Sequence, residues 1–87
     1  MPYKLTPEAE YDLIEIYMHG FQNFRETQAE QYFSELENTF QVLSEAPLIC
    51  RERTEFTPPV RIHHHGRHLI IYVVHDDLIL IVRIPPR

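Results

Sequence analysis

Five of the six histidines in this sequence stand at His63, His64, His65, His68 and His75, and Arg61, Arg67, Arg83 and Arg87 share the same final third of the chain. Imidazoles that exchange protons near neutral pH, beside guanidiniums that grip an anion, can hold a phosphate and move a proton. Arg61, His63, His68 and Arg83 are therefore one candidate catalytic set. The same histidines raise a metal reading, in which cross-strand His63 and His68 point at one ion. Adjacent strand residues alternate sides, however, Cys50 is remote, and no carboxylate stands at ligand spacing, so solvated turn residues are the simpler account. No metal or other cofactor is expected. Arg61 and Arg83 flanking Ile70 would make a positive spot for a phosphate or an acidic segment of a partner; the plainer alternative is strand residues with solvated heads. Tyr72 reads best as a packing residue.

The rest of the inventory excludes more than it offers. Cys50 is the single cysteine, which rules out an internal disulfide. There is no glycine-rich phosphate loop, no paired metal motif and no nucleophile with an adjacent base, so a stand-alone metabolic enzyme is not expected. A formal charge of −5 disfavours direct nucleic-acid binding, because phosphate neutralisation needs a cationic surface. At 87 residues, 44% apolar and 24% charged, the sequence is sized for one folded domain spanning residues 1–87. No basic-then-apolar leader follows Met1, and no run approaches the roughly 18 apolar residues that cross a bilayer, so a cytoplasmic location with no membrane partner is the expectation.

Two helices and a sheet must position these residues. Tyr3-Lys4-Leu5 reads as a short strand, and Thr6-Pro7-Glu8 supplies a hydroxyl cap, a first-turn proline and a carboxylate at the positive helix end. Apolar residues at Ala9, Leu13, Ile16, Tyr17 and Phe24 follow helical spacing, with an end near Gly20. Thr27-Gln28-Ala29-Glu30 matches a capping box. From it runs the stripe Ala29, Tyr32, Phe33, Leu36, Phe40, Leu43, which Pro47 stops. A short link predicts an antiparallel helical hairpin. After a polar connection, Val60–His64, Leu69–Val74 and Leu78–Ile84 read as strands joined by tight turns at His65-Gly66 and Asp76-Asp77. The fold class is α+β, in the order β-α-α-β-β-β, with the hairpin packed on one face of a small antiparallel sheet.

The last two strands are apolar on both alternating sets, whereas two helices shield only one side of a small sheet. The other side needs a partner. With two-residue turns, Arg61, His63, His68, Ile70, Tyr72, Val74, Ile79, Ile81 and Arg83 share one face. Val60, Ile62, Leu69, Ile71, Val73, Leu80 and Val82 share the other. The wholly aliphatic second set is expected under the helices, which leaves Arg61, His68, Ile70, Tyr72, Val74, Ile79, Ile81 and Arg83 as candidate partner-binding residues.

The stretch from Arg51 to Ile62, followed by Gly66-Arg67-His68-Leu69-Ile70-Ile71-Tyr72, resembles the signature of ParE toxins in the ParE/RelE superfamily. Leu5-Thr6-Pro7-Glu8-Ala9-Glu10-Tyr11-Asp12-Leu13 is similar to that family's first strand and helix, and Leu43-Ser44-Glu45-Ala46-Pro47 to the end of its second helix. The resemblance implies a RelE/ParE-like fold and a bacterial toxin of a type II toxin–antitoxin pair. Such a toxin is held by a ParD-like antitoxin and acts on DNA gyrase, without chemistry of its own, to block replication. A homodimer or a hetero-oligomer with the antitoxin is within its scope, and direct sequence-specific nucleic-acid binding is not. The superfamily also holds RelE-like ribosome-dependent messenger RNA endoribonucleases, in which an arginine commonly follows the residue after the second-hairpin glycine, in a pattern like Tyr-Arg-x-x-Tyr. Leu69 occupies the matching place here, and the chain ends Arg83-Ile84-Pro85-Pro86-Arg87, where the nuclease branch carries a tyrosine or histidine. Both differences favour gyrase poisoning. The alternatives left open are the endoribonuclease, working through Arg61, His63, His68 and Arg83, and a detoxified binding module.

Overall fold

In the computed structural model, which describes residues 1–87, Thr6 begins the first helix, α1 (Pro7–Asn23), as its sequence requires. The Thr6 hydroxyl accepts the Ala9 N–H at 3.0 Å and donates to the Val82 carbonyl at 2.8 Å, so one residue caps the helix and pins it to the last strand. The second helix, α2 (Glu26–Glu45), follows after only Phe24 and Arg25. Its N-cap is Arg25, with no side-chain cap hydrogen bond, so the capping box expected at Thr27–Glu30 does not form and those residues lie inside the helix. Close approach sets the tight joint: Gly20 faces Ala29, where an added Cβ would meet the Ala29 methyl at 3.2 Å. This packing lets α1 run three residues beyond the expected end at Gly20.

Five strands form one sheet in the order β1-β5-β4-β3-β2: β1 (Tyr3–Leu5), β2 (Glu52–Arg53), β3 (Val60–His65), β4 (His68–His75) and β5 (Leu78–Arg83). The sheet is mixed, not purely antiparallel, because β1 runs parallel to β5 with Tyr3 opposite Ile79 and Leu5 opposite Ile81. β2 lies within the connection read as polar loop. The first hairpin turns at Gly66-Arg67, one residue later than expected, and His65 pairs with His68. The second turns at Asp76-Asp77 as expected. Gly66 and Asp76 adopt φ of 54° and 51°, the left-handed conformation that tight hairpins need at the first turn position.

Ile70, Tyr72, Ile79 and Ile81 are fully buried against Ala9, Leu36, Phe40 and Leu43 of the helices. This reverses the expected faces: the set containing these residues lies under the helices, and the purely aliphatic set lies outside. As far as Ile81 the grouping itself holds, since both turns have two residues. What decides the inward face is that each polar group on it finds a partner beneath the helices. The Tyr72 hydroxyl, for one, donates to the Pro47 carbonyl at 2.9 Å. A bulge then changes the alternation in β5. Tyr72 pairs with Ile81 but Ile71 with Arg83, so Val82 is unmatched and Ile84, 2% exposed, enters the core in the place that alternation would assign to Arg83. Full burial of each such aliphatic side chain is worth about 1.5–3 kcal/mol. No helix is long and apolar enough to cross a membrane.

Candidate functional site

Two surfaces bear the residues that could do chemistry or bind. The inner one is a seam of histidines between the β3–β4 hairpin and α2. His68 Nδ1 lies 2.7 Å from the Tyr32 hydroxyl, which also accepts the Arg67 N–H and donates to the His65 carbonyl, both at 3.2 Å. His65 Nδ1 lies 3.0 Å from the Thr39 hydroxyl, and His63 Nδ1 3.6 Å from the Cys50 sulfur. Arg61 donates to the Cys50 carbonyl at 2.6 Å. Each imidazole is thus spent on a different neighbour, and no three metal-capable side chains converge.

The charges on this seam follow from burial. Desolvation first, then the neighbouring His65 and His64, holds His63 below the usual histidine range. For His68 desolvation again leads, followed by His65, His19 and Arg67, against a small opposing pull from Asp12. Burial and then the adjacent Cys50 push the Tyr72 hydroxyl up to about 12, so it stays protonated and donating at any physiological pH. Both histidines are bases whose folded pKa lies below the unfolded one, so the unfolded chain binds more protons in the interval between the two. Their contribution to stability is complete above the unfolded histidine value of about 6.5 and is lost as pH falls from there toward the folded values. Urea midpoints are expected to drop between pH 7.5 and pH 5.5, and the drop should shrink in His68→Gln. An equal drop in that variant would show that the seam does not cause it.

At the open end of the seam lies a cavity of about 840 Å³. Ile16, Gly20 and Ile84 contribute its apolar lining, and Tyr32, Arg67 and His68 its polar wall. Beside it Arg83 grips Asp12 with two bonds, Nε to Oδ2 at 2.7 Å and Nη2 to Oδ1 at 3.1 Å, while the Ile84 N–H donates to Oδ2 at 2.9 Å. The Arg83 hydrogen bond holds the Asp12 carboxyl below the usual range despite its burial. The chain's last residues close the lower wall: Leu69 N–H bonds the Pro85 carbonyl, and Arg87 N–H the Arg67 carbonyl, each at 2.9 Å.

The four residues of the catalytic set are therefore divided. His68 and Arg83 line the cavity, but occupied by Tyr32 and Asp12; Arg61 and His63 sit outside it, on Cys50. Arg61 and Arg83 do not flank Ile70, which pairs with His63. Of the partner-binding residues expected from sequence, Ile70, Tyr72, Ile79 and Ile81 are fully buried and Val74 packs against the core, so none of these four buried side chains offers a surface. The sequence places Tyr32 in the apolar stripe of α2 and gives Asp12 no role of its own. Their partners lie 36 and 71 positions away, and local spacing carries no trace of them.

The outer surface is the uncovered sheet face. The register aligns Lys4, Leu80 and Val73 in one row and Ile62, Ile71 and Arg83 in another, with His64 opposite Leu69 and Arg53 opposite Val60. Val60, Ile62, Leu69, Ile71, Val73 and Leu80 are all only half-buried, since no helix covers them. No outward strand position carries a carboxylate; Lys4 and Arg53 stand at opposite edges, Arg53 paired at 2.7 Å with Glu55 of the following turn. The face is apolar in the middle, with Lys4 at one edge and the Arg53–Glu55 pair at the other, which suits binding.

Known proteins match this architecture. The family model described as ParE toxin of type II toxin-antitoxin system, parDE, matches residues 3–87. Among solved structures, a chain described as a chromosomal ParDE TA system from P. aeruginosa superposes with a TM-score of 0.83 at 23% identity, covering 99% of this chain and 95% of that one. At that identity the likeness is one of fold. No curated protein matches. The strand order, the helical hairpin and a family match over nearly the full sequence lead to one conclusion: the chain belongs to the ParE toxin family of type II toxin–antitoxin systems.

Proposed function

We propose that this chain is a toxin that binds DNA gyrase and blocks replication without cutting any bond itself, and that a ParD-like antitoxin neutralises it by laying an acidic amphipathic segment across the outer face of the sheet. The observation that carries the antitoxin half is the half-exposed apolar field of Ile62, Ile71, Val73 and Leu80 between Lys4 and Arg53. An acidic partner segment satisfies both its grease and its rim. The non-enzymatic half is supported by the division of the candidate catalytic set. General acid–base cleavage needs its groups free and converging on one reacting atom, whereas His68, Arg83, Arg61 and His63 are each bonded to the protein at two separate places.

Gyrase and its substrate lie in the cytoplasm, which is where this reading puts the toxin. Pure protein is expected to inhibit gyrase supercoiling and to accumulate cleaved DNA–gyrase complexes, with activity restored by stoichiometric antitoxin. Induced cells should filament and signal DNA damage. Unaltered supercoiling together with transcripts cut at the ribosome, read by primer extension, would transfer the protein to the endoribonuclease branch. No growth effect of any kind would leave a detoxified binding module.

A further inference from the structure

Helix α1 carries a second apolar stripe that the core does not use. Tyr11, Ile14, Met18 and Phe21 recur at spacings of three and four on the side away from Ala9, Leu13 and Ile16, and they are 64%, 59%, 48% and 48% exposed. Single exposed apolar residues are ordinary, but four in line over three turns make a continuous patch. The helical positions along its edges carry carboxylates, and the cation beside Glu8 and Tyr11, Arg83, is held by Asp12. Glu8 and Glu15 flank the stripe on one side and Glu10 on the other, all exposed and none in an ion pair, and neither α1 nor α2 contains a single Lys or Arg.

We infer that the outward face of α1 is a docking surface for an amphipathic helix of another protein, one with an apolar seam bordered by Lys or Arg on both sides. Such a helix buries the four side chains in its seam and places cations against Glu8, Glu10 and Glu15. The same edges repel nucleic acid and anionic lipid. A second copy of this chain fits less well. Antiparallel pairing about Ile16 would set Tyr11 on Phe21 and Ile14 on Met18, but it would also bring the two Glu15 edges together. The surface lies in the helical layer, opposite the sheet face assigned to the antitoxin, and is independent of that assignment.

The test is an amide NMR titration of the full chain with a model peptide of Leu at the seam positions and Lys at the flanks. Two controls accompany it: a scrambled peptide of equal composition and a version with Glu at the flanks. The Lys-flanked peptide should bind one to one and shift α1 amides. Affinity should fall at least tenfold in Met18→Glu and, separately, in the double variant Glu10→Lys/Glu15→Lys, and should be unchanged in Val73→Glu on the sheet. Both stripe variants alter exposed residues, and undisturbed spectral dispersion verifies their folding. No binding, equal binding by the scrambled or Glu-flanked peptide, or shifts lying outside α1 overturn the inference. Concentration-dependent α1 shifts without peptide also overturn it, in favour of self-association.

Discussion

Val73→Glu is expected to abolish capture by the antitoxin while leaving the toxin folded. Val73 lies on the outer face, half-buried and paired with Leu80. In the free protein a glutamate there keeps its carboxylate in water, and the loss is part of one aliphatic side chain's burial, about 1 kcal/mol. In the complex the same carboxylate would be sealed under an acidic, apolar segment with no partner, at a cost of several kcal/mol. Affinity should fall at least ~100-fold, equivalent to about 2.7 kcal/mol. Calorimetry with the cognate antitoxin measures this directly, and a melting curve shows that the fold survives. In cells the variant should stay toxic when the antitoxin is co-expressed. Wild-type affinity in Val73→Glu would remove the antitoxin from this face of the sheet.

Phe40→Ala should bring the largest loss of stability. Phe40 is 1% exposed, sits at the centre of the α2 stripe and packs a tilted ring on Tyr3 of β1 at 5.6 Å between centroids. Its removal deletes the transfer free energy of a whole ring and leaves a hole that α2 and the sheet cannot close without breaking their other contacts, about 3–5 kcal/mol in all. For a domain this small that is a large part of the roughly 5–15 kcal/mol that separates folded from unfolded. Urea denaturation should show the midpoint collapse with the slope unchanged, and Phe40→Leu, which refills most of the space, should recover the greater part. A midpoint shift below about 1 kcal/mol would show that the ring is not a keystone of the core.

Much of this fold was legible before any coordinates. Thr6-Pro7-Glu8, the stripe from Ala29 to Leu43 and the two hairpin turns are signals in which the cause lies within a few residues of the effect, so both helices and the meander could be read directly. The inward face was not, because it depends on partners distant in sequence. A face holding His63, His65, His68, Arg61 and Tyr72 looks unfit for burial until Tyr32, Thr39, Cys50 and Pro47 are known to meet it. The bulge at Val82 was hidden for the same reason, since pairing across strands reveals it and alternation along one strand does not. Thr27-Gln28-Ala29-Glu30 misled because the Gly20–Ala29 contact draws the helices together before that capping pattern begins. Tyr11, Ile14, Met18 and Phe21 have helical spacing too, but spacing alone does not say which of two apolar lines on a helix the core will use.

The parallel pairing of β1 with β5 has a bearing on when this fold is complete. Tyr3 waits for Ile79, and Thr6 for the Val82 carbonyl, so β1 and the start of α1 are locked only once β5 has formed. A sheet without β5 lacks its β1 edge, and α1 its anchor, with native contacts of high sequence separation still unformed. Closure of the sheet is thus a long-range event that joins residues 76 positions apart, and it should be the slowest step in folding.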